Sequence, residues 1–246
     1  MLPVFLSNSE TEETALIETH IREQIDNGEP LQILEAGCGQ CWELKLDSVR
    51  FILTGIDLDK AALDIRKKIN KDLDVAILGD LRDVDLGDKK YEVIYNSFVL
   101  EHIQNANAVL VRFTRWLKPN GLLIIRIPDP DSVQGFLTRV SPHWVHIFYY
   151  RYVLGKENAG TPGFAPYKTY YDPVVSRVGI HKFCDVNNLT IKAELGNAYW
   201  KPGHGIMRSA ILAFKRVVSA LSLGKLAWQY TDLLYIIQLN GPSRAD

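Results

Sequence analysis

The sequence predicts an α/β fold: a doubly wound, mostly parallel sheet of seven strands in a single domain over residues 1–246, with two helical and aromatic insertions. Three observations predict it. Short apolar runs alternate with stretches whose apolar residues recur every three or four positions, the pattern left by crossover connections between parallel strands. The strand runs are almost continuously apolar, as strands covered on both faces must be. A glycine turn, Gly37-Cys38-Gly39, closes the first run and an acid, Asp57, closes the second.

The elements follow in order. Ser9-Glu10-Thr11-Glu12 has capping-box spacing, Gly28 supplies a stop, and Ile17, Ile21 and Ile25 share a face, so the spacing predicts a helix over 10–27. Strands are predicted at 31–35, 51–57, 75–78, 91–96 and 122–127. A helix is expected to start near Gln40 or Cys41, though Lys45 to Val49 looks loosely ordered; a second is expected over 60–70 with Ala62, Ile65 and Ile69 on one face, and a third over 106–117, ended by the turn signal Lys118-Pro119-Asn120-Gly121. Beyond Pro128 the alternation breaks. Residues 129–172 are rich in aromatics, Gly and Pro; 174–184 reads as a helix, 189–195 as a strand, 206–221 as a helix and 233–239 as the last strand. The insertions are therefore 129–172 and 197–230. Arg208, Lys215 and Arg216 are expected opposite an apolar stripe of Met207, Ala210, Ile211, Phe214, Val218 and Leu221, a pattern shared by lids, sheet-packed helices and membrane-surface helices.

The chain has 246 residues, 47% of them apolar, enough for a full core. With 23% charged residues and a net charge of −1 it has no electrostatic footprint for nucleic acid. Charge is unevenly spread: residues 1–128 carry a net −6 and residues 129–246 a net +5, and 17 of the 25 aromatics lie in the second part. The first part reads as scaffold, the second as the part that grips a partner or substrate. Three cysteines provide no disulfide framework, no apolar run is long enough for a transmembrane helix, and MLPVFLSNSE has neither the basic region nor the apolar stretch of a signal peptide. These features lead to the expectation of a cytoplasmic protein.

The chemistry concentrates at the first turn. Glycines let a backbone approach a ligand closely, and a carboxylate 20 residues beyond Gly37 can accept the hydroxyls of a ribose. Both features also fit a nicotinamide oxidoreductase. Two details point away from it: the dinucleotide fingerprint needs a third glycine where Trp42 stands, and Glu35 just before the loop repels a pyrophosphate but suits a cationic ligand.

In Glu35-Ala36-Gly37-Cys38-Gly39, Gly55-Ile56-Asp57-Leu58-Asp59, Gly79-Asp80-Leu81, Tyr91 to Ile94 followed by Asn96-Ser97 and Val99-Leu100-Glu101-His102, and Leu117 to Leu123, the chain resembles the class I S-adenosylmethionine-dependent methyltransferases over about residues 30–128. The resemblance implies a Rossmann-like domain, S-adenosylmethionine as cofactor and S-adenosylhomocysteine as product. It implies that Glu35, Ala36, Gly37, Cys38 and Gly39 cradle the methionine part, Asp57 the ribose, Leu58 the adenine face and Asp80 the adenine amino group, with the Leu81 N–H on the ring. Asn96 and Ser97 would line the floor near the sulfonium. His102, after Glu101 at the start of a helix, could set the cofactor end of the pocket or simply cap and pack. Family members with a similar Glu-His pair act on small molecules or lipids.

The remaining candidates are weaker in the sequence. Asp57 could cap the following helix, and Asp80 could be a turn residue. Cys38-Gly39-Gln40-Cys41 has no second ligand pair for zinc, so no metal site is expected. His143 and His146 share a helical face with aromatics and could supply a base, bind a metal or sit as polar groups in an aromatic core. Tyr170 and Tyr171, with Tyr199 and Trp200, could wall an acceptor pocket, and His204 between two glycines reads as a loop residue. The expected function is direct in-line methyl transfer to N, O or C of a small metabolite, an aromatic natural product among the candidates. Alternatives are a lipid or quinone methyltransferase at a membrane surface, a non-catalytic S-adenosylmethionine-binding module, and a dinucleotide oxidoreductase. Membrane contact is not favoured, and the sequence leaves the oligomeric state open.

Overall fold

The computed structural model describes residues 4–25, 28–47, 49–153, 155–161, 166–170, 172–198 and 205–241. Its centre is one eight-stranded sheet in the order β1-β7-β8-β6-β5-β2-β3-β4. The strands are β1 (Phe5–Ser7), β2 (Leu31–Ala36), β3 (Phe51–Asp57), β4 (Val75–Leu78), β5 (Tyr91–Ser97), β6 (Leu117–Pro128), β7 (Leu189–Asn197) and β8 (Asp232–Leu239). All neighbours are parallel except β8, which runs antiparallel between β6 and β7. The sheet is thus mostly parallel and doubly wound, with one strand more than the seven expected. The addition is β1, which extends the edge beside β7 and is too short to show a period in sequence.

The apolar runs are explained by two cores, one on each face. On one side Leu34, Ile56, Ile94, Leu123 and Ile125 pack with α3 (Ala106–Trp116) and α6 (Arg177–Val186), through Val109, Leu110, Phe113, Ile180 and Phe183. On the other, Ile33, Leu53, Val93, Leu122 and Ile124 pack with Ile17 and Ile21 of α1 (Glu10–Arg22). Successive strand residues feed opposite cores.

Helix α1 starts as expected: the Ser9 side chain accepts from the Glu12 N–H at 3.1 Å while the Glu12 carboxylate accepts from the Asn8 N–H at 2.9 Å. It stops at Arg22, short of the expected 27; Asp26 and Asn27 lie outside the described residues. Strand β6 begins at Leu117, so the expected turn at 118–121 is a bulge within the strand, marked by a register shift opposite Tyr91 to Val93 and by Asn120 in the left-handed region at φ 64°.

The larger correction is that no helix follows the glycine turn. From Trp42 to Asp47 the chain is irregular and inward-facing positions alternate: Leu44 and Leu46 are buried, while Glu43, Lys45 and Asp47 are exposed. Period-two burial is incompatible with a helix. Trp42 packs on Phe51 and Tyr95, and Glu43 accepts from the Tyr95 hydroxyl at 2.7 Å, so this segment covers the sheet where a helix was expected.

Helix α2 (Lys60–Asp64) continues into wider π-type turns over Ile65–Asn70. The buried face is Ala62, Leu63 and Arg66, while Ile69 is exposed, because Arg66 is drawn inward. Its guanidinium is fully buried. It donates to Glu35 Oε2 at 2.7 Å, Asp72 Oδ1 at 2.7 Å and the Cys38 carbonyl at 2.6 Å. The insertion after β6 forms α4 (Val133–Val140) and α5 (His143–Phe148), and the one before β8 forms α7 (Gly205–Leu221). Helix α7 is turned from its expected orientation: Lys215 and Ser219 are buried and Phe214 and Leu221 are exposed. Ser219 Oγ donates to the Leu226 carbonyl at 2.7 Å, which fixes that face inward.

Removing one member of a buried ion network strands its partners in a medium that solvates them poorly. Arg66→Ala should cost about 3–5 kcal/mol in urea unfolding, well beyond an average substitution. A loss under about 1 kcal/mol would show that the network does not hold the fold.

Candidate functional site

In a doubly wound sheet the ligand crevice opens at the carboxyl ends of the strands, where the winding direction reverses. Here that point lies between β2 and β5. The loop leaving β2 is tied to the end of β3. The N–H groups of Gly37 and Cys38 donate to the Ile56 carbonyl at 2.8 and 3.1 Å, and the Gly39 N–H donates to Asp57 Oδ2 at 2.8 Å. The other oxygen of Asp57 accepts from the Asp59 N–H at 2.8 Å. Gly37 sits at φ 78°, and a Cβ there would overlap the Val99 side chain; in front of Gly39 there is open space. On the floor, the Asn96 Nδ2 donates to the Ala36 carbonyl at 2.8 Å, while Asn96 Oδ1 and Ser97 Oγ are buried without a partner.

Two of the expected contact residues are already engaged. Burial pushes the Glu35 carboxyl up, but Arg66 lies against it, so this side chain braces the loop and does not offer a free negative charge to a cationic ligand. The Asp80 carboxylate is gripped by Arg82, with Nη2 on Oδ2 at 2.6 Å, which holds it below its ordinary range. Leu58 is exposed at the rim of the crevice and Leu81 is buried. Cys38 is buried, and desolvation pushes its thiol up to about 12, while Cys41 is exposed. Among the described residues no group of three or more His, Cys, Asp or Glu is gathered as metal ligands.

A second cavity is lined in part by Glu101 of the turn Leu100–His102, which follows β5. It measures about 100 Å³ and is lined by Glu101, Pro128, Gln134, Thr138, Tyr170 and Asp232, among others. The segment before Asp172 lies over the turn. The Tyr170 N–H donates to the Glu101 carbonyl at 2.8 Å, and His102 Nδ1 is 2.9 Å from the Lys168 carbonyl. A carbonyl can only accept, so the Nδ1 carries the proton and the Nε2, 3.8 Å from Glu101 Oε1, has a free lone pair. Burial lowers the His102 pKa and keeps the ring neutral. Burial pushes the Glu101 carboxyl up to about 8, with Asp232 adding to the rise, and it raises Asp129 to about 6 and Asp232 in the same direction.

The structure therefore brings Tyr170 to the cavity wall, next to the turn that carries His102. It does not bring His143 and His146 there. Their rings stack at 6.2 Å on α5, with His143 exposed and His146 Nε2 against the Ser141 carbonyl at 3.3 Å. Tyr171, Tyr199, Trp200 and His204 lie outside the described residues. Glu101, Gln134, Thr138 and Asp232 were not singled out as lining residues. The Glu101-His102 pair was the available signal, whereas Asp232 reaches the cavity only because β8 inserts antiparallel beside β6.

Residues 34–125 match the family described as a methyltransferase domain. Malonyl-(acyl-carrier protein) O-methyltransferase of Halalkalibacterium halodurans is 29% identical over 112 residues, 42% of this chain and 41% of that protein. Ubiquinone biosynthesis O-methyltransferase of Rickettsia typhi is 32% identical over 98 residues, 39% and 40% respectively. The chain thus spans about two fifths of the length of the curated relatives it matches. The likeness in fold reaches further: the plantazolicin methyltransferase BpumL, solved with SAH, superposes with a TM-score of 0.55 over 92% of this chain and 82% of that one, at 16% identity. The segment 34–125 is thus similar to a methyltransferase domain, and the fold of the chain is that of these Rossmann-like methyltransferase structures.

Two outcomes follow from the geometry. Gly37→Ala forces a left-handed residue against Val99 and should destabilise the protein by about 1–3 kcal/mol in urea unfolding, with partial recovery in the double variant with Val99→Ala. Glu101 holds its proton more tightly folded, to about pH 8, than at its ordinary value of 4.5. Its contribution to stability is thus fully present below pH 4.5 and lost as the pH rises through about 8. Urea midpoints should fall across that window, and less steeply in Glu101→Gln; equal slopes in the two proteins would refute the assignment.

Proposed function

We propose that this protein transfers a methyl group from S-adenosylmethionine to a small-molecule acceptor. The observation that carries the reading is the glycine loop pinned to Asp57 at the sheet's switch point, with a buried, unpartnered Asn96 Oδ1 on the floor, inside the segment that matches the methyltransferase domain. These residues fit the cofactor. Gly39 leaves room for a chain to pass, and each Asp57 oxygen, already holding one N–H, keeps lone-pair capacity for the ribose hydroxyls. Leu58 would cover the adenine face, Asp80 would accept from the adenine amino group beside Arg82, and the Leu81 N–H would meet the ring. Ala36, Gly37 and Cys38 would form the cradle wall, with Asn96 and Ser97 supplying polar atoms beneath. Glu35 would act through Arg66, by holding the loop.

When bound, S-adenosylmethionine supplies a methyl group already activated by its sulfonium. The chain's own task is orientation and exclusion of water, effects that together supply several kcal/mol. His102, neutral and oriented by the Lys168 carbonyl, would present a lone pair at the entrance to the second cavity, and Tyr170 would close its wall. His143 and His146 remain candidates only if the insertion moves toward the crevice on binding.

A second reading places the acceptor at a membrane surface. It draws on the exposed Trp144, Phe148, Tyr149 and Tyr152 of the insertion, a cluster of the kind that inserts at lipid interfaces. No helix among the described residues is long and apolar enough to cross a membrane. Co-sedimentation with anionic vesicles, reduced in a Trp144→Ala/Phe148→Ala variant, would favour this reading; absence from the vesicle pellet would remove it.

The main reading is tested by calorimetry. S-adenosylmethionine and S-adenosylhomocysteine should bind and NAD should not. Asp57→Ala should weaken binding by about 1–3 kcal/mol, the worth of charge-assisted hydrogen bonds. Unchanged affinity in a folded variant would overturn the ribose assignment, and binding of NAD alone would overturn the function.

A further inference from the structure

We propose that the cavity beside Glu101 receives the amino group of the methyl acceptor, so that the substrate class is a small amine held by the carboxyls of Glu101 and Asp232. This rests on the methyltransferase reading and narrows it.

The lining is rich in acceptors and poor in cations. Glu101 and Asp232 contribute carboxyls; Gln134, Thr138, Thr169 and Thr231 contribute uncharged polar groups; among the described residues no Lys, Arg or His lines the cavity. Glu101 is 6% exposed, and its Oε2 is buried with no hydrogen-bond partner. A buried acceptor left unpaired is costly, and the cost points to a donor supplied from outside the chain. Asp232 is partly served: its Oδ2 accepts from Thr231 Oγ1 at 2.8 Å, and Lys215 of α7 and Arg126 of β6 pull electrostatically on it without lining the cavity. Among the described residues no such cation acts on Glu101; Asp232 is the charge it faces, and His102 beside it is held neutral.

In the empty cavity burial and the neighbouring Asp232 hold Glu101 in its protonated form; a cation entering between the two acids favours the ionised carboxylates. An ammonium offers that charge and up to three donors. An alcohol offers one donor and no charge. A phenolate or carboxylate nucleophile brings a negative charge into a site already lined by two acids, which opposes its entry. An ammonium must also lose a proton before its nitrogen lone pair is free. The Glu101 carboxylate is the group positioned to accept it: the N–H bond breaks with its electrons staying on nitrogen, and the proton forms the O–H bond of the carboxylic acid.

The test uses benzylamine and n-butylamine against benzyl alcohol and n-butanol, with the full chain saturated with S-adenosylhomocysteine. Saturation-transfer NMR reports binding, and mass spectrometry with S-adenosylmethionine reports methylation. The amines should bind and gain a methyl group, and the alcohols should do neither. Glu101→Gln should weaken amine binding about tenfold or more while leaving S-adenosylhomocysteine affinity unchanged. Thr138→Leu, which fills the cavity from α4 without touching either acid, should block amine binding if Glu101→Gln fails to fold by circular dichroism. Alcohols binding as well as amines, amine binding retained in the variant that is folded, or no amine bound to protein that holds S-adenosylhomocysteine would each overturn the proposal and leave the methyltransferase reading intact. Failure to bind S-adenosylhomocysteine at all would overturn both.

Discussion

The Arg66 guanidinium, fully buried among Glu35, Asp72 and the Cys38 carbonyl, is the contact on which the arrangement of the crevice depends. A glycine turn that leads into a helix is ordinarily braced by that helix. Here no helix follows, and the chain runs on in an irregular course through Trp42 to Asp47. The brace is instead a side chain from the helix after β3, reaching back to grip the acid before the turn and the carbonyl within it. The π-type widening at Ile65–Asn70 belongs to this contact, since Arg66 points inward while Ile69 turns to solvent. A buried ion network is a poor way to gain stability compared with apolar packing, because desolvation offsets much of the attraction. Its value lies in direction: bonds of 2.6–2.7 Å from one planar group to three acceptors fix the loop's position relative to β3, and hence relative to Asp57.

The same constraint reassigns the acids of the crevice. Glu35 would meet a ligand as a carboxylate if it stood alone, but paired with Arg66 it offers little net charge, and Asp80 is gripped by Arg82. Asp57 is bound only by backbone N–H groups, which orient a carboxylate without neutralising it. Of the three acids around the loop, Asp57 is therefore the one that keeps its negative charge available. The second cavity shows the reverse design, acids buried with too few donors, and the contrast separates a site shaped in advance from one completed by its ligand.

Much of this was legible in the sequence, for physical reasons. Strands buried on both faces leave long apolar runs that no other element imitates, so β2 to β8 were each anticipated to within a few residues at most ends. The glycine turn and Asp57 were legible because close backbone approach and a strand-end acid need particular residue types. What was not legible depends on partners far away in sequence. Arg66 reads as one cation in a run with Lys67 and Lys68, and nothing local says that it alone is buried. Lys215 reads as part of a polar face, yet α7 turns it inward, in the electrostatic range of Asp232. A helix start near Gln40 or Cys41 is compatible with the spacing, though Lys45 to Val49 already looks loosely ordered, and only the burial of Leu44 and Leu46 beneath exposed neighbours shows that the whole segment is irregular.

The acceptor side follows a common logic. His143 and His146 attracted attention because histidine is the usual base and the segment is aromatic, but residue type does not decide position. The carboxyl ends of β5 and β6 and the start of β8 meet at one place, because an antiparallel strand inserted beside a parallel one delivers its first residue where its neighbour delivers its last: Asp232 lies opposite Pro128. Glu101, on the turn after β5, arrives at the same place by the parallel route. The chemistry of the cavity is thus set by topology, which joins residues 101, 128 and 232 from both sides of a long insertion. The insertion contributes its wall through Gln134, Thr138 and Tyr170. In such an arrangement the scaffold strands supply the charged groups that recognise the reacting atom, while the inserted helices supply the shape around it, and the two can change independently.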